Sequence, residues 1–100
     1  MLSIISLDLQ NAIVEVNDAR EHYYYSKFQS EAAWDVYQNF VDEHPYWKNP
    51  NAPDKEVEDY RNKCKELSEW AYFVELEFKD AWHRLDKAKA NLLKLQEEDK

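Results

Sequence analysis

Glycine is absent from this 100-residue chain, proline occurs three times and cysteine once. Each scarcity excludes something. Tight hairpin turns that need a positive φ favour glycine, so its absence rules out most sheet architectures and leaves an all-α class. The lone Cys64 can form no intramolecular disulfide, and a reduced, cytoplasmic setting is the expectation. Long hydrophobic runs are missing as well. The opening Met1-Leu2-Ser3-Ile4-Ile5-Ser6-Leu7-Asp8 is briefly apolar but has no basic segment before it and soon meets an acid, so neither a signal peptide nor a membrane span is expected. Positive charge is short in the first part of the chain. Residues 1–60 carry 12 acids and 4 bases, residues 61–100 carry 9 of each, and the net charge is −8. An acidic balance argues against binding nucleic acid or anionic lipid through a basic surface and leaves open a basic protein as partner.

What is present is a long three-four alternation. From Val57 the apolar steps run through Tyr60, Cys64, Leu67, Ala71, Val74, Phe78, Ala81, Leu85, Ala88 and Leu92 to Leu95. That pattern belongs to a helix burying one narrow seam against another helix. A rod of this length, roughly 58 Å at 1.5 Å per residue, needs a companion of equal length. The companion is a weaker walk: Leu2, Ile5, Leu9, Ala12, Val16, Ala19, Tyr23, Ser26, Ser30, Ala33, Tyr37, Phe40. Ser26 and Ser30 interrupt its apolar series, and a break there would fold the first helix back on itself. All three prolines lie in the stretch between His44 and Pro53. Proline disfavours helix in the residue before it, so His44 ends the first helix. Ser3 or Ser6 is placed to cap the first helix and Asn51 the second.

The expectation is one domain over residues 1–100: helix one at about 6–44, a turn at 45–52, and helix two at about 53–96. The helices lie antiparallel as a long coiled-coil-like hairpin. Facing residues whose numbers sum to 97 give layers in which large mostly meets small, such as Ala12 with Leu85 and Ala19 with Phe78. A slip of one heptad is the rival register.

The seam leaves aromatics over. Tyr24, Tyr25 and Phe28 on helix one, and Trp70, Tyr72, Phe73 and Leu76 on helix two, lie off it at similar height. Soluble monomers seldom expose a contiguous patch of that size. The set is expected to complete a homodimeric four-helix bundle, or else to bind a different protein, since Trp and Tyr dominate interface hot spots. At the turn, Asp54, Glu56, Glu58 and Asp59 gather with Asp42 and Glu43 around Tyr46 and Trp47. Charge runs are usually solvated faces; the functional reading is an acidic tip, anchored by Tyr46 and Trp47, that docks on a basic protein. Its extreme form is a viral-type decoy that blocks the nucleic-acid site of a host enzyme.

No cofactor or metal site is expected. Asp18 with His22, and Asp80 with His83, have helical spacing, but the heptad puts neither histidine on the interior seam. Cys64 reads as a small hydrophobe rather than a nucleophile. The chain therefore reads as a non-enzymatic adaptor or inhibitor. With two long helices and Trp47-Lys48-Asn49 at the turn, it also resembles the small Trp-x-Gly hairpins exported by type VII secretion. That resemblance implies four-helix pairing and export. It covers the architecture, with Asn49 where those proteins carry glycine and without their Tyr-x-x-x-acid signature near the end of helix two.

Overall fold

The structure, a computed structural model, describes residues 6–44 and 51–98. It is an all-α hairpin of two helices, α1 (Leu7–Glu43) and α2 (Asp54–Glu98). Its extents are 81 × 15 × 15 Å, and its radius of gyration is 22.3 Å. A compact chain of this length has about 13 Å, so the molecule is a rod two helices thick.

Both helices begin where local chemistry dictates. Ser6 caps α1: its hydroxyl accepts from the Leu9 amide at 3.1 Å, and its carbonyl accepts from the Gln10 amide at 3.0 Å. Asp8 lies in the first turn, where the helix dipole favours an anion. At the other end the His44 amide donates to the Val41 carbonyl at 3.3 Å, and the His44 ring lies 2.9 Å from the Phe40 carbonyl. The cap of α2 is not Asn51 as expected. Its first helical bond runs from the Val57 amide to the Pro53 carbonyl at 3.1 Å. A cap at Asn51 would require helical geometry at Ala52, which the following proline disfavours.

Every buried residue falls on one of the two walks. Helix α1 runs unbroken past Ser26 and Ser30, which are buried, so the fold-back alternative is overturned. No buried side-chain nitrogen or oxygen among the described residues lacks a partner, so these hydroxyls occupy the seam without an unsatisfied group. The core is thin. Among the described residues its buried hydrophobics number nine, of which six are alanine, and Ala19, Ala33, Ala71 and Ala81 are 0% exposed. Each alanine buries one methyl, roughly a third of what a leucine contributes.

The register differs from the sum of 97. One cluster joins Val16 and Ala19 to Leu85 and Ala88, and another joins Ala33 to Ala71 and Val74. The Tyr23 ring meets Phe78 at 5.3 Å, and Phe40 stacks on Tyr60 at 5.7 Å. Helix α2 is therefore shifted along α1 by half a heptad to a full one, so that Ala19 packs with Leu85 where Phe78 was expected. The shift puts Ala33 beside Ala71, and small residues in facing positions let helix axes approach to the lower end of the 8–10 Å range.

The candidate interaction surface

Residues one step off the seam are left outside it by helical geometry. Three open recesses run along one flank of the hairpin. The first, about 530 Å³, is lined by Glu15, Asp80, His83, Arg84, Lys87 and Asn91. The second, about 280 Å³, shares Asp80 and adds His22, Tyr25, Gln29 and Glu77. The third, about 490 Å³, shares Gln29 and Glu77 and is walled by Phe28, Ala32, Trp70 and Phe73. One groove thus passes from a charged end near the chain termini to an apolar stretch at mid-length.

At the charged end, the Arg84 guanidinium bridges the helices. It is ion-paired with Glu15 and lies 3.2 Å from the Nδ1 atom of His22. An arginine can only donate, so Nδ1 accepts and His22 carries its proton on Nε2. No group of three or more His, Cys, Asp or Glu side chains among the described residues is placed to hold a metal ion.

In the apolar stretch, Phe28 is 70% exposed, Trp70 47% and Phe73 60%. These three of the seven off-seam residues line a single groove, contributed by both helices. Tyr25 borders the neighbouring recess, where its hydroxyl accepts from Gln29 at 2.8 Å. Tyr24 meets Tyr23 edge-on at 5.2 Å, and Tyr72 and Leu76 are exposed. Sequence reasoning passed over Val36, 46% exposed, and Trp82, 52% exposed and stacked on Phe78. The signal for Trp82 was its place directly after the seam residue Ala81, which sets it on the flank of the seam. Trp34 was passed over too; it packs against Ala33, Ala71 and Val74 and meets Tyr37 at 5.8 Å.

At the tip, Asp54, Glu56, Glu58 and Asp59 are all exposed. Glu56 and Asp59 border a recess of about 280 Å³ with Phe40, His44 and Tyr60. Tyr46 and Trp47 lie outside the described residues. Burial is the main cause that holds the Tyr60 phenol above its usual value of 10.0; a hydrogen bond with Cys64 adds to it, and the charges of Cys64, Tyr37 and Asp42 act in the same direction. Cys64 is a free thiol, half-buried.

No described helix is long and apolar enough to cross a membrane. Comparisons of the chain with protein families, with curated proteins and with solved structures found no match.

Proposed function

We propose that the chain is a small non-enzymatic protein-binding module that acts through its aromatic flank, as a homodimeric four-helix bundle in a reducing cytoplasm. The observation that carries this reading is the groove of Phe28, Ala32, Trp70 and Phe73, which both helices build and which their own seam does not need. Large aromatic side chains in such a groove are the chemistry of interface anchors. The thin alanine core adds a stability argument, because a hairpin that buries so little gains from covering more apolar surface. The carboxylates Asp54, Glu56, Glu58 and Asp59 steer encounter with a basic protein surface, and Tyr46 and Trp47 anchor it.

The test is a comparative pull-down from the source organism with three baits: the wild-type chain, Phe73→Glu, and a variant with the four tip carboxylates replaced by Asn or Gln. The reading expects chains, including tagged copies of the protein itself, that the wild type retains and Phe73→Glu loses. The tip variant should associate more slowly at low salt, with the difference closing as salt rises. An identical set of retained chains for the wild type and Phe73→Glu overturns it.

A further inference from the structure

We infer that the occupant of the aromatic groove is a second copy of this chain, packed face to face and antiparallel about a two-fold axis that crosses α2 between Trp70 and Phe73. The inference rests on the reading of the chain as a homodimer formed through its aromatic flank, and adds the axis and register of that pairing.

Exposed area favours a second copy. The chain exposes 8030 Å², whereas a compact monomer of its mass, 12.1 kDa, exposes roughly 6,000 Å². The excess, roughly 2,000 Å², is the scale on which stable homodimers bury surface, and a standard interface takes only about 800 Å² from each partner.

Charges along α2 complement each other in one register. Trp70 and Phe73 belong to a second three-four stripe beside the seam, which continues through Glu77, Asp80, Arg84 and Lys87 on the groove side. Toward the tip the same spacing reaches Glu66, Lys63, Asp59 and Glu56. With the axis between Trp70 and Phe73, each of these two rings packs on the other in the second copy. Outward from that centre, Lys63 meets Asp80, Asp59 meets Arg84, and Glu56 meets Lys87, each pair occurring twice. On α1 the same axis sets Tyr25 on Val36 and Gln29 on Ala32, which gives the exposed Val36 a partner. Two layers oppose it: Glu66 meets Glu77, and Asp18 meets Glu43. Two of the cations are shared with their own chain, since Lys63 lies 3.7 Å from Glu66 and Arg84 is ion-paired with Glu15.

The alternative symmetric stacking, with the axis along the rod, fits worse. It keeps equal heights together, which pairs Arg84 with Asp18 and Lys87 with Glu15 and sets Trp70 on Ala32, but lays Phe73 on Gln29, Val36 on Glu66 and Tyr25 on Glu77. Apolar residues would be buried against polar ones at three layers where the antiparallel register matches them. The antiparallel register also supplies the basic surface that the acidic first turns of α2 call for: it is the Arg84 and Lys87 end of the second copy.

Three measurements test this. Sedimentation of the full chain at tens of micromolar should give a dimer, and Phe73→Glu a helical monomer. Charge reversal keeps the test independent of whether Phe73→Glu folds. Lys87→Glu alone and Glu56→Lys alone should each weaken the dimer by about three- to thirtyfold, and the two together in one chain should restore it to within about twofold. Spin labels in a Cys64→Ala background fix the axis: labels at position 69 should lie under roughly 25 Å apart and labels at position 89 roughly 50 Å apart. Short distances at both positions, or single reversals that leave the dissociation constant unchanged, overturn the inference. A monomer at several hundred micromolar overturns it, together with the homodimer of the proposed function. A different chain captured by the wild type and lost by Phe73→Glu leaves the protein-binding reading standing, and no such chain removes both.

Discussion

Ala19 shows how little spare volume the seam holds. It is 0% exposed and packs in the cluster of Val16, Leu85 and Ala88. Ala19→Leu should therefore overpack that layer and cost about 1–3 kcal/mol, read from the urea midpoint of unfolding; an unchanged midpoint would remove Ala19 from the seam. Tyr60 makes a second prediction at this scale. Its phenol is held above the usual value of 10.0, first by burial and then by Cys64. As pH rises past that usual value, the unfolded chain loses the proton before the folded one does. The contribution is therefore complete below about 10 and is lost between there and the folded value. Wild-type stability should fall over that alkaline window by more than the stability of Tyr60→Phe, measured by urea unfolding at stepped pH. Parallel curves for the two proteins would show that the phenol does not titrate differently on folding.

At the scale of the element, Ser6 is the clearest single contact. Its hydroxyl takes the Leu9 amide, so Ser6→Ala should cost about 1 kcal/mol and fray the first turn of α1 in hydrogen exchange. How far the sequence reveals such elements depends on which physical quantity decides them. The helices and their seam were legible, because burial follows the three-four period and nothing else in the chain competes with it. Ser26 and Ser30 looked like a weakness in the walk. In the structure they are simply its small members, and a long helix absorbs them without a break. The register was not legible in the same way. A heptad repeat slipped by seven residues still pairs seam with seam, so patterning cannot choose between Phe78 and Leu85 as the neighbour of Ala19; that depends on how the side-chain volumes fit. In the candidate surface, Phe28, Trp70 and Phe73 stood out because they are aromatic and off the seam. Val36 and Trp82 are off it too, beside Tyr37 and Ala81 just as Trp70 and Phe73 are beside Ala71 and Val74, so the same helical position was enough to mark them as flank residues.

At the scale of the whole molecule, the proportions of the rod make a prediction of their own. The hairpin alone has a radius of gyration of 22.3 Å. Two such rods stacked face to face lie 8–10 Å apart, and an axis between Trp70 and Phe73 falls only a few residues from the middle of α2, so their centres nearly coincide. Scattering should then show a doubled mass with the radius raised by only about 1–3 Å. Contact through the tips would instead place the rods end to end and raise the radius to roughly 45 Å. The two outcomes separate the aromatic flank from the acidic tip as the site of self-association without any mutation. Charge gives the same experiment a second arm. The paired layers Lys63 with Asp80, Asp59 with Arg84 and Glu56 with Lys87 lie near the solvent-exposed rim, where salt screens them, whereas Trp70 and Phe73 at the centre are held by apolar burial. Raising the ionic strength from about 0.05 M to about 0.5 M should therefore weaken the dimer without abolishing it, and the side-by-side radius should persist at protein concentrations well above the new dissociation constant. A dimer lost entirely in that salt range would place its energy in the charges and leave the aromatic groove for another chain.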